Sequence, residues 1–254
     1  MAHIVVNFLS ATLERAVEFA LILPTIAAPE LGQYKSGEAH YQGQAKYPVL
    51  YLLHGYLNDY HSWEAYTSIE RYAEERNIAV VIISGENKFF SNVHNDLFED
   101  FIEGELQDFV KGTFPISDRP EDTYIAGLSM GGFGALFHAL KYPDKYQAVG
   151  AFSPAIIEKY DGYRKKAVNL IDFLKKDVKN GVNLPWMYVT VGDKDDLLPE
   201  VKPYLQMMKK YKVEGYQKII PGYAHEWPLW DTEVKCFLDM LPRTDVYAGN
   251  KKQI

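Results

Sequence analysis

The segment Ile125-Ala126-Gly127-Leu128-Ser129-Met130-Gly131-Gly132 constrains this 254-residue chain more than any other. It joins a short apolar run, Thr123 to Ala126, directly to a helical pattern, Gly131 to Lys141, which Pro143 stops. So sharp a passage from strand to helix forces strained backbone angles on its central serine and brings neighbouring chain close. Gly127 and Gly131 lack the side chains that would collide there. Strand-to-helix is also the unit from which parallel sheets are built, and the rest of the chain repeats it.

Two segments precede that repetition. Ala2 to Phe8 and Arg15 to Leu23 alternate or run apolar, as antiparallel edge strands do, and Ala11-Thr12 connects them. Pro29 to Lys46 reads as a loop or hairpin excursion. Strands are then expected at Tyr47 to Leu53, Ile78 to Ser84, Thr123 to Ala126, Tyr146 to Phe152, Trp186 to Val191 and Gln217 to Ile220. Helices are expected at Ser62 to Glu75, Leu97 to Phe114, Gly131 to Lys141, Arg164 to Lys179, Glu200 to Tyr211 and Glu226 to Leu241, and Asn250 to Ile254 reads as a frayed tail. The alternation implies one α/β domain over residues 1–254, a mostly parallel twisted sheet with helices on both faces and antiparallel N-terminal strands.

With 47% hydrophobic and 24% charged residues, the chain can bury a substantial core in water. A net charge of −7, with no Lys/Arg cluster, excludes a nucleic-acid partner. The pairs Lys165-Lys166 and Lys175-Lys176 read as the solvated side of one helix. The single cysteine, Cys236, allows no intramolecular disulfide and reads as a buried, inert thiol among Val234, Phe237, Leu238 and Leu241. The N-terminus has no basic leader, and Val17 to Ala28 contains Glu18 and Pro24. No stretch reaches the roughly 18 apolar residues that span a bilayer. No membrane partner and a cytoplasmic location are the expectation.

Ser129 would stand exposed at the carboxyl end of the sheet, where open α/β sheets place their sites. A serine hydroxyl needs a base to become a nucleophile. His225, in Gly222-Tyr223-Ala224-His225-Glu226-Trp227, is the candidate because it lies late in the chain, between the last strand and helix. His3, His40, His61 and His94 come too early, and His138 lies on the helix after Ser129, pointing away. An acid that holds the imidazole in one tautomer is expected after the strand Trp186 to Val191. Asp195 is preferred there, Asp196 is second, and Asp193 suits turn closure. Oxyanion donors are expected from the backbone N–H of Met130 and from Tyr56, with Leu57 as fallback; His54 would brace that loop. Trp63, Phe89, Phe90, Trp227 and Trp230 are candidate pocket walls.

Leu52-Leu53-His54-Gly55 with Asn58 and Trp63, Gly127-Leu128-Ser129-Met130-Gly131-Gly132, Gly192-x-x-Asp195 and Gly222-x-x-His225-x-Trp227 resemble the putative esterase family from Leu13 to Leu241. That family includes S-formylglutathione hydrolases, bacterial tributyrin esterases, feruloyl and acetylxylan esterases and mycolyltransferases. The tributyrin-type members are most similar, through Gly222 to Trp227, Trp230 and Phe98-Glu99-Asp100-Phe101-Ile102 with Glu103, Glu105 and Leu106. The resemblance implies an α/β-hydrolase fold, Ser129, Asp195 and His225 as triad, and Tyr56 and Met130 as oxyanion donors. It also suggests a homo-oligomer. Two positions depart from it: Asn58, where many relatives carry glycine, and Lys88-Phe89-Phe90-Ser91-Asn92, where relatives offer a Ser and Tyr pair. The expected function is hydrolysis of small-molecule, short-chain acyl esters through an acyl-enzyme, with no metal or organic cofactor. The alternatives are an S-formylglutathione-type thioesterase, an acetyl or feruloyl carbohydrate esterase and, distantly, a non-catalytic binding protein on this fold.

Overall fold

The computed structural model describes residues 1–41, 43–157 and 168–254. Its sheet is built from β1 (Ala2–Ser10), β2 (Arg15–Leu23), β3 (Val49–Leu53), β4 (Ala79–Ile83), β5 (Thr123–Leu128), β6 (Ala148–Phe152), β7 (Trp186–Gly192) and β8 (Gly215–Ile220). The spatial order is β1-β2-β4-β3-β5-β6-β7-β8. β1 pairs antiparallel with β2 and β2 antiparallel with β4, whereas every pairing from β4 to β8 is parallel. This is the α/β-hydrolase architecture expected, with its antiparallel N-terminal strands.

Every residue of β3, β4, β5 and β6 is buried, because helices cover both faces, and such strands must be apolar throughout. Side chains alternate between two cores. Val49, Tyr51 and Leu53 face one, with Phe133 and Leu136 of α5 (Met130–Lys141), Leu174 of α6 (Leu170–Lys179) and Val201 of α7 (Leu198–Tyr211). Leu50 and Leu52 face the other, with Trp63 of α1 (His61–Tyr66), Ile69 and Tyr72 of α2 (Ile69–Arg76), and Leu229 and Phe237 of α8 (Trp227–Met240).

Several local expectations are corrected. The helix expected over Ser62 to Glu75 is two, α1 and α2, because Thr67 is extended and its hydroxyl bonds the Trp63 carbonyl while accepting the Ile69 N–H. The helical stretch expected from Leu97 contains α3 (Phe98–Asp100), a π-helical turn over Phe101–Leu106, and α4 (Gln107–Thr113). Residues 164–167 of the helix expected over Arg164 to Lys179, with Lys165-Lys166, lie outside the described residues. Cys236 is half-buried rather than buried, and burial pushes its thiol pKa up. The tail is pinned rather than frayed: the Lys252 N–H donates to the Glu75 carbonyl, and its ammonium pairs with Glu30 and Glu74.

Glu105, on the π-helical turn, fastens the β1–β2 hairpin by accepting from Ser10 Oγ at 2.6 Å, Ala11 N at 2.7 Å and Thr12 N at 3.0 Å. Burial opposes its charge, but these hydrogen bonds outweigh burial and bring its pKa down to about 2. A depressed carboxyl pKa stabilises the fold above the unfolded value and loses that contribution as pH falls through the folded one. Glu105→Ala should therefore cost about 1–3 kcal/mol at pH 7. The difference from the parent in urea midpoint should narrow as pH falls from above 4.5 towards 2.

Candidate active site

Ser129 links β5 to α5 with φ 53° and ψ −115°, outside the regions a serine ordinarily occupies. Such strain, of order 1–3 kcal/mol, persists only where the surroundings over-determine it. Here the Ser129 N–H donates to the Phe152 carbonyl at 2.9 Å, and the Ser129 carbonyl accepts from Ala155 N and Phe133 N, each at 3.0 Å. The glycines are demanded by contact. A Cβ on Gly127 would lie 2.4 Å from the Gly131 backbone, and one on Gly131 would lie 2.4 Å from the Leu53 carbonyl oxygen and 2.5 Å from that of His54. The same packing sets Gly55, whose Cβ position is 3.6 Å from Ser129 Cβ, beside the serine.

The loop after β3 thus borders Ser129, and its amides sort themselves. The Leu57 N–H donates to Asn87 Oδ1 at 2.8 Å and the Asn58 N–H to the Gly55 carbonyl at 3.3 Å. Among the described residues the Tyr56 N–H has no acceptor, whereas that of the fallback candidate Leu57 is engaged. Met130 opens α5, where the first N–H groups have no intrahelical acceptor and the helix dipole favours negative charge. The left-handed residue in this loop is Leu57, at φ 66°, and not Asn58.

His54, wholly buried, braces the loop as expected. Its Nδ1–H donates to the Gly55 carbonyl at 2.7 Å, and its Nε2 accepts the Gly85 N–H at 2.8 Å. Only the neutral ring satisfies both bonds, and burial pushes its pKa down accordingly. The Gly55 carbonyl and the Tyr56 N–H belong to one peptide plane, so His54 fixes the direction in which that N–H points.

Asp195, buried on the turn after β7, lies 3.0 and 3.1 Å from Nδ1 of His225, which sits between β8 and α8. Asp195 Oδ1 also accepts the Leu197 N–H at 2.8 Å. Burial raises the carboxyl pKa, but the hydrogen bond from His225 and the groups at Ser153 and Leu197 prevail and hold it below the usual value. Ser153 itself is wholly buried at φ 48°, its hydroxyl outside ordinary hydrogen-bond geometry. Asp193 closes the turn by accepting the Gly222 N–H at 2.7 Å, and Asp196 is exposed. A Cβ on Gly192 would come within 2.1 Å of the Tyr223 carbonyl, so the histidine loop presses directly on the aspartate turn. Trp230 sets its ring edge-on to His225, centroids 4.8 Å apart.

The aromatic wall residues are mostly core. Trp63 and Phe90 have no exposed surface; the Trp63 indole N–H donates to the Leu53 carbonyl, and Phe90 fills the space beside Gly85 and Gly134. Trp230 and Phe89 are buried also, while Trp227 is part-exposed and stacks on Tyr66. Among the described residues one set, His3, Glu64 and Glu70, brings three metal-type ligand atoms within 4.8 Å of one another. It starts on β1 at the sheet edge, where His3 Nε2 already contacts Glu64 at 2.9 Å.

Residues 38–243 match the model of the family described as Putative esterase. The chain belongs to the Putative esterase family. An acetyl esterase of Caldicellulosiruptor saccharolyticus is 28% identical over 260 residues, covering 91% of this chain and 94% of that protein. Two Staphylococcus aureus structures are similar: the fluorophosphonate-binding serine hydrolase FphF and the S-formylglutathione hydrolase FrmB. FphF superposes with a TM-score of 0.81 at 25% identity, covering 94% of this chain and 98% of its own. FrmB gives 0.79 at 25% identity, with the same two coverages. As a member of this family the chain is a carboxylic ester hydrolase. Among the described residues no helix is long and apolar enough to cross a membrane.

The sequence pointed to Ser129, His225, Asp195, Tyr56 and Met130, but gave no sign of Asn87 or Ser153, whose contacts arise from loops far apart in the chain. In this esterase Gly131→Ala should cost about 1–3 kcal/mol or more, since a Cβ meets backbone that must move, and should lower activity with it. Gly104→Ala, with nothing within 4 Å of its Cβ, should leave thermal midpoint and turnover intact or slightly improved.

Proposed function

We propose that the chain hydrolyses short-chain acyl esters through an acyl-enzyme on Ser129. The observation that carries this reading is the His225–Asp195 pair at 3.0 Å, together with a strained serine at a glycine-lined strand-to-helix turn. With Asp195 accepting at Nδ1, the neutral imidazole keeps its proton there, and Nε2 is left as the basic nitrogen. His225 Nε2 takes the Ser129 proton as Oγ attacks the ester carbonyl. The negative oxygen of the tetrahedral adduct is received by the N–H groups of Tyr56 and Met130. The same imidazolium then protonates the departing alcohol, and water repeats the sequence to release the acid. Asp195 holds the ring and stabilises its charged form.

Similarity to an acetyl esterase favours a small acyl group, and the tributyrin-type motifs agree. Similarity to an S-formylglutathione hydrolase supports a second reading, a thioester substrate on the same machinery. Hydrolysis of p-nitrophenyl acetate, butyrate and octanoate should fall with chain length. Ser129→Ala should abolish turnover, and Asp195→Asn should lower kcat by about 10⁴-fold. Asp196→Asn should do neither. Turnover retained in Ser129→Ala would sink the acyl-enzyme. Faster reaction with S-formylglutathione than with any oxygen ester would select the thioester reading.

A further inference from the structure

We propose that Asn87 is a positioning residue for the oxyanion site, the second of two clamps on the turn that presents the Tyr56 N–H. This rests on the reading of Ser129 as nucleophile and Tyr56 as donor. The first clamp, His54, holds the Gly55 carbonyl at one end of that turn and the Gly85 N–H at the other side of the gap. Asn87, two residues beyond Gly85, holds the Leu57 N–H at 2.8 Å. Tyr56 therefore lies between two fixed points, both anchored in the same neighbouring loop.

Leu57 shows why the second clamp is needed. It is a bulky residue in the left-handed region at φ 66°, and its side chain is 80% exposed. Packing does not hold it there; the hydrogen bond to Asn87 does, together with the longer turn bond from the Asn58 N–H to the Gly55 carbonyl. Without that acceptor Leu57 would relax towards right-handed angles and turn the Tyr56–Leu57 peptide, disturbing Tyr56 from its C-terminal side. Its N–H would also be released beside Tyr56 as a competing donor.

Asn87 is itself rigidly carried. Its neighbour Lys88 pairs with Asp96 at 2.5 Å and Glu86 at 2.6 Å, and Arg15 of β2 reaches Asp96 at 3.0 Å and Glu86 at 3.4 Å. The Lys88 N–H donates to the Gly85 carbonyl, and the Ser91 N–H to that of Lys88. Glu86, Phe89 and Phe90 all hold positive φ, a strained course that these bonds over-determine. The side chain that meets Leu57 thus projects from a braced support.

The test compares wild type with Asn87→Ala, using p-nitrophenyl acetate kinetics and amide hydrogen exchange at Leu57. Outright loss of an oxyanion donor lowers kcat by about 10²–10³-fold. Loosening the peptide that follows it, with His54 still in place, should lower kcat by roughly 10-fold and leave KM within about twofold. The Leu57 amide should exchange faster in Asn87→Ala and return to slow exchange in Asn87→Asp, which keeps the acceptor. A kcat within twofold of wild type, a rise in KM alone, or unchanged protection at Leu57 overturns the proposal. Failure of wild type to be labelled by a fluorophosphonate at Ser129 would instead sink the nucleophile reading, and the catalytic role of Asn87 with it. The exchange result at Leu57 still reports separately whether the clamp exists.

Discussion

The backbone contact between the Ser129 turn and the end of β3 is the constraint on which the rest of this structure depends. Gly131 lies so close to the Leu53 and His54 carbonyls that no side chain fits between them. The β3–β5 register, with Leu53 opposite Gly127, delivers the two strand ends to that contact. From it follow the helix that leaves the turn at once, the loop after β3 set beside the serine, and the buried residues above and below. Phe90 occupies space that glycine at 85 and 134 leaves open, and so seats the loop that carries Asn87.

Around this contact the structure sorts its polar groups into those that hold and those left to act. Among the described residues Leu57, Asn58 and Gly85 have committed N–H groups and Tyr56 does not. A second buried histidine works on the holding side. His138 lies 2.6 Å from Glu103 through Nδ1 and 2.7 Å from the Phe90 carbonyl through Nε2. One partner is a carboxylate and the other a carbonyl, so the ring ties the loop to the π-helical turn. Burial pushes the Glu103 carboxyl up, but the bonds from His138 and Tyr146 and the charge of Lys145 bring it below its ordinary value. His54 and His138 therefore support one loop from two sides.

What the sequence disclosed follows from what is local in it. The glycines around Ser129 mark a turn through steric demand alone, so that turn was legible. His225 followed from chain order and Asp195 from distance past Gly192. Aromatic residues were less legible, since Trp63 and Trp227 differ in exposure and not in type. The break at Thr67 depends on a hydroxyl that competes for backbone, which helical periodicity does not register. Cys236 and Lys252 were misread for a related reason: their burial and anchoring are set by α2 and the N-terminal third, not by neighbours in sequence. Asn87 belongs to the same class, because an asparagine in a polar loop looks like any other until its partner is known.

The order of strands along the chain has a consequence for synthesis. The serine turn closes on β3, β6 and Ala155, all of which precede residue 156, whereas His225 follows β8. A chain emerging from the ribosome N-terminus first can form the strained turn well before its base exists. The proposed nucleophile then remains an ordinary alcohol until the last strand docks. On the proposed mechanism a chain that ends before β8 lacks its base, and activity should report that β8 and the loop after it have reached their place.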